Sequence, residues 1–212
     1  MMTRSSKPCS KPSSPRWSLF PGPLGWGFFS RLSSVAAGTL MLVGCSGVSV
    51  TDYADTTPTF DPQSYFHGEL TAHGVVKDFS GKVIRYFNAD IKGCWEDGIG
   101  TLDEQFTFDD GEQQSRIWTL VPDGANTLLG TAGDVVGQSA GEWSGNALFM
   151  AYVLRVPYGD DAIDLTIDDR MYQVSESVVI NESGMYKFGL KVGEIVLTII
   201  KHSDEAVVCR RS

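Results

Sequence analysis

From Tyr65 onward the apolar side chains recur at every second position in short runs. Leu148, Met150, Tyr152, Leu154 and Val156 share one side of one run, and Ile163, Leu165, Ile167 and Met171 one side of the next. A period of two is that of a half-buried β-strand, whose successive side chains leave opposite faces of the pleat. On this reading strands are predicted over Gly68–Asp78, Lys82–Trp95, Gly100–Phe108, Gln113–Val121, Thr127–Val136, Gln138–Val156, Ala162–Gln173, Ser177–Phe188 and Lys191–His202. Turn chemistry punctuates them at Phe79-Ser80-Gly81, Asp109-Asp110-Gly111, Pro122-Asp123-Gly124 and Gly159-Asp160-Asp161, and Asn181-Glu182-Ser183-Gly184 carries the same signature. No long stretch of period 3.6 competes, and nothing repeats at a fixed interval. Val192 to Ile200 is apolar on both faces, which predicts a strand covered on both sides. Short strands joined by hairpins predict an all-β, antiparallel architecture. Closing the sheet removes its exposed edges, and an up-and-down barrel of about eight to ten strands fits this length.

The chain before Tyr65 has a different texture. Residues 1–26 are rich in Ser, Pro and Arg and cannot form a packed core. Arg31, the mostly apolar stretch Leu32 to Val43, and Gly44 then give the basic, apolar and small-residue order of a secretory signal. The apolar stretch is too short to span a bilayer. Leu42-Val43-Gly44-Cys45 resembles a bacterial lipobox, whose cysteine thiol takes a diacylglyceryl group before cleavage just upstream. That resemblance implies lipidation of Cys45, palmitate among its acyl chains, and an anchor firmer than one chain gives. Ser46, where Asp would direct retention in the inner membrane, implies an outer-membrane lipoprotein facing the periplasm. Ser46 to Ser64, with its Thr, Asp and Pro and no apolar period, reads as an extended tether. The expected organisation is an extension with signal over 1–44, lipidated N-terminus and tether over 45–64, barrel over 65–202, and tail over 203–212.

Charge narrows the partners. Residues 1–44 hold five of the 17 Lys and Arg and none of the 26 Asp and Glu, so the remainder sets 12 basic against 26 acidic side chains, a formal −14. So acidic a domain repels phosphate backbones, and nucleic acid is not expected as a partner. The 42% hydrophobic content rules out wholesale disorder. Of the four cysteines, Cys9 would leave with the signal and Cys45 would carry lipid. Cys94 and Cys209 are left as a candidate disulfide in an exported compartment or as two free thiols. A bond between them would close a loop of more than a hundred residues, worth roughly 4–5 kcal/mol in the chain-entropy model.

The blocks GELTAHGVVKDFSGKVIRYFNADIKGCW, TLDEQFTFDDG, GNALFMAYVL, DDRMY and YKFGLKVGEIVL, in this order, resemble a bacterial lipoprotein family catalogued as domain of unknown function 3833. The resemblance covers nearly all of Tyr65 to Ile200. It implies an envelope lipoprotein and brings no catalytic residues with it, while tilting the expected ligand towards acyl chains. Strand count and size alone suggest a calycin or lipocalin comparison.

Candidate chemistry is confined to charged residues on apolar faces. Glu104 alternates with Leu102, Phe106 and Phe108; Arg116 with Trp118 and Leu120; Asp169 lies between Ile167 and Met171 in register. Inside a barrel each needs a partner, because a lone buried charge is prohibitively costly. The set Glu104, Arg116, Trp118, Asn146, Tyr152 and Asp169 is the candidate ligand site: a carboxylate–guanidinium cluster for a head group, with apolar walls for a tail. The alternative is a purely structural ion pair, or faces assigned wrongly by one residue. His67, His73 and His202 match no metal or nucleophile motif, and the Asp-Asp pairs lack the spacing of a calcium loop, so no metal or cofactor is expected. The expected function is a monomeric lipid-binding or lipid-handling lipoprotein. An envelope isomerase or hydrolase acting on fatty acyl groups, and a scaffold, are the alternatives.

Overall fold

The structure, a computed structural model, describes residues 47–210. Cys45 and the signal segment lie outside the described residues. Ser46–Ser212 forms one compact unit.

Ten strands build it: β1 (Gly68–Asp78), β2 (Val83–Glu96), β3 (Ile99–Phe108), β4 (Gln113–Pro122), β5 (Thr127–Thr131), β6 (Ser139–Ser144), β7 (Ala147–Tyr158), β8 (Asp161–Ser175), β9 (Val178–Lys187) and β10 (Leu190–Ser203). Each pairs antiparallel with its neighbours in sequence, and β1 pairs with β10, so the sheet closes into an up-and-down barrel without edges. Nothing outside Ser46–Ser212 is needed to close it. The β1–β2, β3–β4, β5–β6, β7–β8 and β9–β10 connections gather at one end, the mouth. The other connections and the start of β1 gather at the opposite end.

The expected strand Gln138–Val156 is two strands. The chain turns at Gly145, which has φ +53°, and β6 pairs back onto β7. The expected strand Thr127–Val136 ends at Thr131, beyond which only Val135 makes a bridge, to Leu154. Asn181-Glu182-Ser183-Gly184 is no turn; it lies within β9. The outer face of β10 is not covered as expected, since Val196, Thr198 and Ile200 are half-buried in the wall and Val192 is exposed.

The segment expected as an extended tether is folded. Ser49 caps a single 3-10 turn, Val50–Tyr53, in which Val50 is buried and the Tyr53 ring packs against Phe149 and Tyr172 outside the wall. A helical turn, α1 (Pro62–Tyr65), capped by Asp61, then crosses the end opposite the mouth. There Phe60, Tyr65 and Phe66 form a plug, with ring centroids 5.3–5.9 Å apart and Phe60 wholly buried. The Tyr65 hydroxyl donates to the Ile199 carbonyl at 2.9 Å. Gly93 makes the close approach feasible, because a Cβ there would sit 1.4 Å from the Phe66 carbonyl oxygen. Apolar burial outweighed the local composition.

The tail is tied down as well. Cys94 and Cys209 are joined by a disulfide, with Cα atoms 6.0 Å apart. The Arg210 guanidinium donates to both Asp103 carboxylate oxygens, at 2.9 and 2.6 Å.

Candidate functional site

The alternation that builds the walls also decides what faces the lumen. Toward the plug the inward side chains are sealed: Leu70, Leu148, Val179 and Ile199 are all buried. Toward the mouth, inward residues Val76, Phe106, Val156, Ile163, Met185 and Leu197 are only half-buried. The inward side chains are therefore sealed towards the plug and partly accessible towards the mouth, mostly apolar, with polar groups midway.

Those polar groups come from five strands and one loop. Glu104 on β3 and Arg116 on β4 are direct cross-strand partners, and the Arg116 Nη1 lies 3.7 Å from Glu104 Oε2. Arg116 spends its stronger bonds elsewhere. Its Nε and Nη2 donate to Asp134 in the β5–β6 loop at 2.9 and 2.7 Å. Glu104 Oε2 is buried and has no hydrogen-bond partner among the described residues. The side chain of Glu104 is 13% accessible and that of Arg116 20%. Asp169 on β8 accepts from the Ser183 hydroxyl at 2.7 Å and from the Asn181 amide, both on β9, and from the Tyr152 hydroxyl at 3.5 Å. Trp118 meets Tyr152 edge-on, with centroids 5.3 Å apart.

Electrostatics set these groups apart. Burial, reinforced by Asp134, Asp169 and Asp103 and opposed by Arg116, pushes the Glu104 carboxyl up to about 7. Burial also raises Asp169, against the bonds from Asn181 and Ser183. Burial raises the Tyr152 phenol too, so it remains a neutral donor. Burial disfavours the Arg116 charge, but Asp134 and Glu104 outweigh it and the guanidinium stays ionised. Three carboxyl groups thus share one cation. The cluster has spare acceptor capacity, concentrated on Glu104, and no spare positive charge.

Of the sequence-predicted residues, Glu104, Arg116, Trp118, Tyr152 and Asp169 come together in the lumen. Asn146 does not. It sits in the β6–β7 turn at the plugged end, where its side-chain oxygen accepts from the Thr56 hydroxyl at 2.6 Å and its Nδ2 donates to the Gln173 carbonyl at 3.0 Å. Its role is to fasten the N-terminal segment. Asp134, Asn181 and Ser183 were not foreseen. Asn181 and Ser183 had a detectable signal, since they alternate with Val179 and Met185 on one face.

His73 and His202 lie on the outer wall beside Thr71. Among the described residues no group of three His, Cys, Asp or Glu is placed to hold a metal ion. A polar cleft of about 440 Å³ at the plugged end is lined by residues including Asp61, Tyr65, Gln173, Lys201 and Asp204, away from the lumen.

Comparison with solved structures finds an S-type phycobiliprotein lyase from Guillardia theta, 10% identical, with a TM-score of 0.47, covering 68% of this chain and 92% of that one. A protein of unknown function of the DUF3598 family from Nostoc punctiforme is 13% identical, with a TM-score of 0.48, covering 69% of this chain and 51% of that one. No curated protein matches the chain. The model of a family described as a protein of unknown function, DUF3833, matches residues 39–201, most of the chain including the whole candidate site, and the protein belongs to that family.

Proposed function

We propose that the protein is a carrier that holds a small, largely apolar molecule in the barrel, its one polar end against Glu104. The observation that carries this reading is the buried Glu104 Oε2, which accepts no hydrogen bond from the described residues, amid apolar inward side chains that become more accessible towards the mouth. A buried acceptor without a donor costs free energy, which a ligand donor would recover. The surplus of carboxyl groups disfavours a free fatty acid, whose head would add another negative charge. It favours a lipid-like ligand ending in an amide, alcohol or amine. The reading places the carrier in the bacterial envelope, lipidated at Cys45 and held at the outer membrane. In support, the family match begins at residue 39 and so includes Gly44-Cys45.

Native mass spectrometry of the full-length protein, extracted gently from its own membrane, tests the reading. An adduct of lipid mass is expected on the wild type and is expected to fall at least tenfold in Glu104→Gln, where the acceptor is weakened. Bare protein in every preparation would overturn it. Incorporation of labelled palmitate that disappears in Cys45→Ala is the expected result for the anchor.

A further inference from the structure

We infer that one sector of the mouth, formed by the β1–β2 and β9–β10 hairpins, is a docking surface for an anionic lipid bilayer. Because β1 pairs with β10, these two turns are neighbours. Each carries a phenylalanine at its tip, Phe79 at 82% and Phe188 at 93% exposure, and Leu190 beside Phe188 is 71% exposed. Scattered apolar residues on a surface are ordinary; a contiguous set on adjoining tips is not.

Phe188 supplies the more telling observation. It has φ +52° and is followed by Gly189 at φ +79°. The two residues form a tight turn that suits Asn or Asp before Gly, and a large side chain there is strained. The β2–β3 turn at the opposite end has nearly the same backbone, φ +52° then +79°, and uses Asp97-Gly98. At the mouth the same turn bears a ring that is 93% exposed, with the end of Lys187 over it, 5.1 Å from the centroid. Strain maintained to display an aromatic ring in solvent points to something the ring enters.

Charge identifies the occupant. Lys77, Lys82, Lys187 and Lys191 flank these two tips; only Lys92 and Lys201 lie elsewhere among the described residues. The acids nearby are Glu194, shared by Lys77 and Lys191, Asp78, turned onto Ser80 and the Lys82 backbone, and Asp164, beside Lys187 and paired with Arg155. The sector is thus basic on a strongly acidic domain. The rest of the mouth, with Asp109, Asp110, Glu112, Asp160 and Asp161, is not. Aromatic tips ringed by lysines match the boundary between headgroups and acyl chains of an anionic membrane. Docking there would bring the more accessible end of the lumen to the bilayer.

The test uses the self-contained unit Ser46–Ser212 and vesicles of phosphatidylcholine with or without one-third phosphatidylglycerol, read by co-sedimentation. Binding is expected to the anionic vesicles and to weaken at least tenfold between 50 and 500 mM salt. Phe79→Ser with Phe188→Asn is expected to abolish it without lowering Tm, since Asn tolerates the turn better than Phe. Lys82→Glu with Lys191→Glu is expected to lower it at least tenfold. No binding to either vesicle, equal salt-independent binding to both, or unchanged binding in the Phe double variant would overturn the inference. So would dimerisation in solution that the Phe variant removes, because the collar would then be an interface between copies. The assay contains no carried ligand, so its failure leaves the carrier reading standing.

Discussion

Glu104 carries the site, and its titration makes the claim measurable. Its folded value of about 7 lies above the ordinary 4.5. Below pH 4.5 both folded and unfolded chains hold the proton. Between 4.5 and 7 the unfolded chain releases it first, so stability falls as pH rises, by about 3 kcal/mol at most. Glu104→Gln lacks this loss. Thermal melts should therefore show the Tm of the variant minus that of the wild type increasing by several degrees from pH 5 to pH 8. A flat difference would mean that the side chain faces water. Alternation with Leu102 and Phe106 was enough to turn Glu104 inward in the sequence, and likewise Arg116 and Asp169. Asp134 was invisible because it stands in a loop, where no period marks a face. Asn181 and Ser183 were hidden by an Asn-Glu-Ser-Gly string that reads as turn chemistry, although in β9 two of its members are the donors that stabilise Asp169.

At the scale of elements, the plug is the part that local composition concealed. Val50, Phe60 and Phe66 are too widely spaced to create a period, and the Pro, Asp and Thr around them read as linker. Yet Phe60 is wholly buried where the barrel would otherwise leak. Phe60→Ala should cost about 3–5 kcal/mol, measured from the denaturant midpoint, because the rigid end of the barrel cannot collapse onto the space. A loss under 1 kcal/mol would return the segment to the status of a tether. The β6–β7 hairpin was legible in principle. Inward positions are odd up to Trp143 and even from Leu148, and a strand cannot change the parity of its buried face without a bulge or a turn. Period alone, taken without parity, merged the two strands.

For the whole molecule, the closed meander follows from ten short runs and the absence of any unpaired edge, and this the sequence foretold to within one strand. Which end the partly accessible side chains face could not be foreseen, since it depends on contacts far apart in the chain, whereas the tie of the tail was one of the two outcomes that the lone pair Cys94 and Cys209 left open. The Cys94–Cys209 bond spans 115 residues. Reducing it should lower unfolding free energy by roughly 4–5 kcal/mol through the freedom returned to the unfolded chain. Urea titrations with and without dithiothreitol measure this, and coincident curves would show that the bond contributes nothing.

Nine of the ten joins in the wall link strands adjacent in sequence, and only that between β1 and β10 links the two extremes of the barrel. Like the last stave set into a cask, this seam is reached only after its neighbours stand, and the sulfur bridge clasps it from β2 across to the tail. Amide deuterium uptake in the reduced protein should accordingly begin along β1 and β10 and leave the β7–β8 hairpin closed longest.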